Sequence, residues 1–479
     1  MQNEPTGASL AFTTSDPIAQ QALALMGAGA FQQAQSLLAA DDGHADESVR
    51  RARAEAAEII RRVRRDYSLD SAELLARIRQ EIPDASPEDL ERWRAAGEAQ
   101  ARGVDGQTKF FRREPVNLFR FRAEATRRRD ASAPAKAKPH GWTLIKHLSN
   151  VVAAAEGAGE SAEVLPIHHR MTYSVTIAPN RPGARAGSLV RCWLPFPQVY
   201  RQQRDVTLVR TEQSPEQGPT PRVAPEGTPQ RSVYFEQRIV DPAGPIAFGE
   251  VFEFASHAYY PKLDDALVEP LPADWNGQCL GERPPHIRFS TEIRQRVAEI
   301  VGTETNSLAK VRAIFRWIND NVRYHAEEEY SVIPSFSAAC LSRGKGDCGV
   351  QAMLFITMCR AAGVPARWQS GWESKRDRWN MHDWAEVYVP PWGWLPCDVS
   401  YGIVRDATDP RVRDFYIGHQ DSYRLIVNLD YGRELVPPKT SLRSEPADFQ
   451  VGEIEIDGRN LFYDEWSHEM KIEWLTDEP

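Results

Sequence analysis

Along the first 130 residues, apolar positions recur every three or four residues. Val49, Ala52, Ala56, Ile59, Ile60 and Val63 form one stripe, and Leu74, Leu75, Ile78 and Ile82 form another. This spacing predicts amphipathic helices. Asp70 with Glu73 reads as a capping box, and Ser86 before Pro87 marks the start of a third helix. Residues 102–111 read as a hairpin turning at Asp105-Gly106. Two helices followed by a hairpin predict a winged-helix-like part at 68–113 inside a helical region at 1–130. Residues 131–165, rich in Ala, Lys, Pro and Gly, predict a linker with a short helix near Trp142-Thr-Leu-Ile. The period then changes to two. Met171, Tyr173, Val175 and Ile177 alternate with polar residues, and further strand-like runs occupy 189–194, 232–236 and 251–254. Short strands separated by Pro- and Gly-rich loops predict a β-sandwich at 166–275. Strand patterns return at 424–429 and in the C-terminal segment, 431–479, around Val451 and Met470. Those strands either complete the core or add a small sheet.

The segment between these β regions carries the chemistry. After the glycine-rich run Arg343-Gly-Lys-Gly-Asp347, Cys348 opens a stretch in which Val350, Leu354, Met358 and Ala361 fall at helical spacing, and Gly363 is a natural stop. A thiol on the first turn of a buried helix meets unpaired N–H groups and the positive end of the helix dipole, which favour the nucleophilic thiolate. The same N–H groups could steady an oxyanion. Cys359, inside the helix, reads as an inert core residue.

Residues 380–402 predict a β-hairpin around Pro390-Pro391-Trp392-Gly393. Side chains alternate along a strand, so Asp383 faces away from His382 and is a poor orienting carboxylate for it. A three-residue loop with Gly393 in a bulge places Asp398 on the face of His382, one diagonal step from the residue opposite it. A two-residue turn would put it on the wrong face. The pattern therefore predicts an irregular turn. His382 would take the proton of Cys348 and later give one to the leaving amine, with Asp398 fixing its tautomer.

Residues 305–402 resemble the bacterial transglutaminase-like superfamily. Four features carry the likeness: the helix running from Val311 to Tyr324, Gly344-Lys-Gly-Asp-Cys348 with its apolar helix, Ala362-Gly-Val-Pro-Ala-Arg367, and His382-Asp-Trp-Ala-Glu386 followed by Gly393-Trp-Leu-Pro-Cys-Asp398. The resemblance implies an α+β chain with a papain-like transglutaminase core at 276–430, preceded by the β-sandwich domain and the N-terminal helical region. It maps Cys348, His382 and Asp398 onto a Cys-His-Asp triad. The family often places an oxyanion-stabilising side chain upstream of the nucleophile, and Tyr324 and Tyr330 are the candidates here. Its members include cross-linking enzymes, peptidases and amidases. The expected activity is a cysteine hydrolase acting on amide bonds of peptides or proteins through an acyl-thioester, or transfer of that acyl group to an amine. Trp372, Trp379 and Trp392 flank His382 and are candidates to wall a substrate groove, and residues 373–378 form a charged stretch that could serve as a lid.

Composition narrows the alternatives. A chain of 479 residues suggests roughly three domains. The net charge of −9 gives no general attraction to nucleic acid or anionic membrane. The N-terminal region is arginine-rich, at Arg50, Arg51, Arg53, Arg61, Arg62, Arg64, Arg65 and again at Arg112 to Arg129, but Glu47, Glu55 and Glu58 stand at pairing distance along the helix. A non-catalytic binding or regulatory protein using that region is the reading of another class; the paired charges favour solvated helix faces, and nucleic acid is not expected as a partner. Six cysteines in a chain of this length do not form a disulfide framework. No Gly-x-Ser-x-Gly elbow, His-Glu-x-x-His pair, Walker loop or Cys-x-x-Cys pair is present. No metal or cofactor is expected. Met1 to Leu10 lacks a basic, then apolar, leader pattern, so a cytoplasmic location without membrane contact is expected, export remaining open if the N-terminus has been trimmed.

Overall fold

A computed structural model describes residues 14–40, 46–132, 143–213, 218–376 and 378–476. The N-terminal decapeptide, Trp142 and Asp377 lie outside the described residues.

The predicted N-terminal helices form because each carries an apolar stripe and a cap. Helices α1 (Pro17–Gly27), α2 (Phe31–Ala39) and α3 (Glu47–Asp66) share one core that includes Phe31, Ala56, Ile60 and Val63. Strand β1 (Tyr67–Leu69), helices α4 (Ser71–Glu81) and α5 (Pro87–Ala95), and the hairpin β2 (Ala101–Val104) and β3 (Gln107–Phe111) follow, with sheet order β1-β3-β2. Both α4 and α5 start in capping boxes, Asp70 with Glu73 and Ser86 with Asp89. The hairpin turns at Asp105 and Gly106, both at positive φ, the geometry of a two-residue primed turn. Helices α6 (Val116–Phe121), α7 (Ala123–Ser132) and α8 (Leu144–Gly157) lead out of this region.

The β-sandwich is built from both ends of the remaining chain. One sheet has the order β18-β4-β9-β6, with β4 (Glu163–Ile177), β6 (Gln203–Glu212), β9 (Ile246–Tyr259) and β18 (Trp466–Trp474). The other has the order β17-β16-β5-β8-β7, with β5 (Leu189–Pro195), β7 (Arg222–Val223), β8 (Ser232–Arg238), β16 (Glu453–Ile456) and β17 (Arg459–Leu461). The C-terminal strands therefore make no sheet of their own. They add to β4 and β5, because their apolar residues, Ile454, Ile456, Leu461 and Trp466, complete the core between the two sheets.

The segment inserted between β9 and β16 holds helices α9 (Thr291–Val301), α10 (Ser307–Asn321), α11 (Phe336–Arg343) and α12 (Cys348–Ala361). The short strands β10 (Arg323–Tyr324) and β11 (Lys345–Gly346) pair in parallel. A four-stranded sheet of order β14-β13-β12-β15 backs them, formed by β12 (Ala366–Lys375), β13 (Arg378–Val389), β14 (Gly393–Cys397) and β15 (Arg424–Asn428). One face of this sheet, including Trp368, Ala385 and Val387, packs with α12, buried from Cys348 to Arg360, in the largest core. Trp372, Leu425 and Val427 instead join the sandwich core, so the sheet is sealed on both sides.

Candidate active site

Cys348 is the first residue of α12. Asp347 caps the helix, its Oδ1 accepting the Val350 N–H at 3.1 Å, and Gln351 Nε2 donates to the Gly346 carbonyl at 2.7 Å. These bonds fix the angle at which the thiol leaves the helix. Cys348 is 8% exposed. Gly349 is required next to it: a Cβ there would lie 2.1 Å from the Tyr330 hydroxyl.

The hairpin registers as the irregular turn demands. Val389 pairs with Gly393 and Ala385 with Cys397, which leaves Pro390-Pro391-Trp392 as a three-residue loop closed by Gly393 at φ +77°. The ladder ends at Cys397. Asp398 then leaves the strand, its N–H bonded to the Tyr416 carbonyl. Its Oδ2 lies 2.6 Å from His382 Nε2. Arg424 Nη2 reaches the same oxygen at 2.8 Å, and Ser400 Oγ and the Tyr401 N–H donate to Oδ1 at 3.0 Å each. Burial pushes the Asp398 carboxyl up, but the charges of His382 and Arg424 outweigh it and hold it at about 2. Asp398 is thus held as an anion at neutral pH. With Nε2 engaged by it, His382 has Nδ1 left for other chemistry.

The thiol meets a different carboxylate. Cys348 Sγ lies 3.4 Å from Asp383 Oδ2, and the Asp383 main-chain N–H is directed at the sulfur as well. Among the described residues, no hydrogen bond joins Cys348 to His382. Asp383 and His382 are neighbours on β13 and leave the strand on opposite faces. Asp383 Oδ2 also receives the Tyr330 hydroxyl at 2.9 Å, and Oδ1 receives Gln450 Nε2 at 2.8 Å. The Tyr330 hydroxyl lies 3.0 Å from Asp347 Oδ1 and accepts the Gly349 N–H at 3.1 Å. One phenolic hydrogen cannot satisfy two carboxylates, so Asp347 or Asp383 must carry a proton of its own. Burial, Asp448 and Asp347 push Asp383 well above the usual carboxylate range, while burial and Glu327 push Asp347 up to about 7.

These carboxyls reverse one expectation. Burial first, then Asp383 and Asp347, raise the Cys348 thiol well above its ordinary value, against the helix dipole. These causes favour the protonated thiol over the thiolate. Asp383, set aside as a poor partner for His382, proves to be the carboxyl nearest the sulfur. Its position on the helix-facing side of β13 was readable from strand alternation, but the α12 contact was not.

The cleft in front of His382 has a volume of about 680 Å³ and is lined by Tyr324, Trp379 and Tyr401 among others. Tyr324 sits between cleft and sulfur. Its hydroxyl bonds Cys348, and that sulfur when ionised, with burial, raises its pKa. Tyr330 also flanks the thiol, but from the carboxyl side, where its oxygen occupies the Gly349 N–H. That bond removes one main-chain donor from a helix-terminus oxyanion hole, leaving Tyr324 as the candidate that faces the cleft.

Of the three expected groove tryptophans, Trp379 alone lines this cleft, at 40% exposure. Trp372 is fully buried against Tyr173 and Phe252, because its face of β12 is covered by the sandwich. Trp392 packs at the far end of the hairpin and donates Nε1–H to the Lys262 carbonyl. The expected lid at 373–378 is not a loop: Glu373 and Lys375 belong to β12 and are buried, with Arg378 opening β13.

The transglutaminase-like superfamily core matches residues 294–399. An uncharacterised protein of Haemophilus influenzae is 28% identical over 141 residues, and the uncharacterised protein YebA of Bacillus subtilis is 24% identical over 134 residues. Each match covers 24% of this chain, and the chain spans 37% and 18% of those relatives' lengths. Among solved structures, a candidate cysteine protease from Cytophaga hutchinsonii is 14% identical with a TM-score of 0.44, covering 66% of this chain and 93% of that one. The periplasmic domain of TgpA from Pseudomonas aeruginosa is 16% identical with a TM-score of 0.27, covering 56% and 93%. Among the described residues, no helix is long and apolar enough to cross a membrane.

Proposed function

Because residues 294–399 form a transglutaminase-like core, the fold of a superfamily of cysteine-type enzymes, we propose that this chain is a cysteine hydrolase of peptide or protein amide bonds. Cys348 is the nucleophile, His382 the general base and acid, and Asp398 the orienting carboxylate. The observation that carries this reading is the 2.6 Å bond between His382 Nε2 and Asp398 Oδ2 beside an open cleft, with Asp383, the residue next to His382, touching the sulfur.

The chemistry follows from the residues. His382 Nδ1 takes the thiol proton as Sγ attacks the carbonyl carbon, and Asp398, itself kept ionised by Arg424, stabilises the resulting imidazolium. The Tyr324 hydroxyl and the Asp383 N–H are donors beside the sulfur, and the tyrosine can turn to the developing oxyanion. The imidazolium gives its proton to the leaving amine. Water, activated by the same ring, then cleaves the thioester.

Rapid acid quench during turnover of a peptide mixture, followed by mass spectrometry, should find one acyl group on Cys348 and none in Cys348→Ala. Peptide cleavage that persists in Cys348→Ala would sink the assignment. Including a labelled primary amine separates the two fates of the thioester: cleavage without incorporation marks hydrolysis, and incorporation marks acyl transfer.

The reading of another class, a binding protein working through the N-terminal arginines, finds less support. In α5, Arg92 pairs with Asp89 and Glu124, and Arg94 pairs with Glu91. Arg61 and Arg62 pair with Glu58. Cations already neutralised this way release few counterions on meeting a phosphate backbone.

A further inference from the structure

The cleft in front of His382 is cationic although the whole chain carries −9. Arg120, Arg323 and Arg378 line it, against one carboxylate, Glu373. Glu373 is already engaged, with Lys375 at 3.3 Å and Arg378 at 3.4 Å. Among the described residues, neither Arg120 nor Arg323 has a carboxylate partner. Both are exposed. Many arginines of the N-terminal region behave differently: Arg53, Arg61, Arg62, Arg64, Arg112, Arg122 and Arg128 hold acidic partners.

Arg120 is also held in place. It lies on α6, whose Asn117 is fully buried. Asn117 Nδ2 lies 3.0 Å from His325 Nε2 and donates to the Ala326 carbonyl at 3.0 Å, while its Oδ1 accepts the Ala326 N–H at 2.8 Å. This clamp grips the strand just after Tyr324. The Arg120 guanidinium stacks over the Tyr324 ring, 4.6 Å from its centroid, and the hydroxyl of that ring bonds the sulfur. A residue from the N-terminal region is thereby fixed one aromatic ring away from the nucleophile.

We infer that Arg120 and Arg323 form a carboxylate-binding subsite of this cleft, so that the preferred substrate is a peptide carrying a carboxylate near the bond attacked at Cys348. The inference rests on the hydrolase reading for what happens to the peptide, but not for its binding. Guanidinium groups suit a carboxylate because their planar donors match its two oxygens. Positive charge gathered in a cleft also raises the local concentration of an anionic ligand, even on a protein of negative net charge. The carboxylate can come from an acidic side chain or from a free C-terminus, and both present the same group.

The test uses the full chain as Cys348→Ser, which binds without turnover, and peptides bearing an uncharged fluorophore, followed by anisotropy. Three matched peptides are compared: internal Glu with an amidated end, internal Gln with an amidated end, and internal Gln with a free C-terminal carboxylate. At least one carboxylate peptide should bind tenfold or more tightly than the Gln amide, and the arm that does so identifies the source. Arg120→Ala with Arg323→Ala should erase that difference while changing the Gln amide less than twofold, whereas Arg94→Ala should change nothing. Equal binding of all three peptides, no binding of any, or a preference that survives the double substitution would overturn the subsite. An inert Cys348 would instead overturn the hydrolase assignment and leave this result standing.

Discussion

The two faces of β13 hold the same kind of residue in opposite electrical states. Asp398, reached from the His382 face, is buried and stays charged, held at about 2. Asp383, on the α12 face, is equally buried and lies well above the usual carboxylate range. Desolvation acts on both, so it does not explain the difference. Counter-charge does. Asp398 has His382 and Arg424, whereas Asp383 has Asp448, Asp347, a phenol, an amide and a thiol. One face can support an imidazolium, and the other stores protons behind the sulfur.

Breaking the charged face should have the largest consequence. His382→Ala is expected to lower kcat by about 10⁴-fold or more, since the members of such a unit act together, measured against the peptide mixture described above. Arg424→Met should come next, through stability. Arg424 is fully buried between Asp398 and Asp421, and Asp421 too is held at about 2, burial being outweighed by Arg424 and Lys375. Leaving two buried anions without it should cost roughly 3–5 kcal/mol, read from urea unfolding. Unchanged unfolding would show that the charged face does not depend on this cation.

The protonated face should respond in the opposite sense. In Asp383→Asn the thiol loses a carboxyl that opposes its ionisation, so its alkylation midpoint with iodoacetamide should move to lower pH, and the rate at pH 7 should rise about tenfold. A slower rate would mean that Asp383 works as an anionic base for the thiol. The smallest effect concerns pH and stability. Burial raises Asp448 to about 6 and Glu445 to about 8, with Asp347 at about 7. In each the folded value exceeds the unfolded one of about 4, so the folded state binds more protons there. Stability from this cluster is complete below about pH 4 and declines as pH rises toward 8. Asp398 and Asp421, depressed to about 2, act oppositely: their contribution is full above about pH 4 and is lost as pH falls toward 2. Asp448→Asn should therefore flatten the fall in melting temperature between pH 5 and pH 8, and an unchanged slope would remove Asp448 from the cluster.

The same contrast marks how much was legible in the amino-acid sequence. The His382 face followed from local rules: Gly393 closing a three-residue loop sets the register, and the register brings Asp398 to His382. The α12 face depends on partners far away in the chain. Tyr330, Gln450 and Asp448 reach Asp383 only through tertiary packing, and no periodicity encodes that meeting. Trp372 and Trp392 were misplaced for a related reason. Proximity to His382 along the chain does not reveal which side of the sheet the sandwich covers, or which end of the hairpin faces the cleft. Arg120 carried no signal to distinguish it from a dozen neighbouring arginines, because its distinction is its place in the cleft, over the Tyr324 ring.

The strand order has a bearing on synthesis. The segment from α9 to β15 lies, in chain order, between β9 and β16, and β16 and β18 must return to β5 and β4 to finish the sandwich. Gln450, which binds the His382 carbonyl and the Asp383 carboxyl, arrives just ahead of β16. A nascent chain that has already made Cys348, His382 and Asp398 therefore still lacks the strands that cover the flanks of β4 and β5. A chain cut short ahead of β16 would keep two bare sheet edges, those of β4 and β5, open to aggregation.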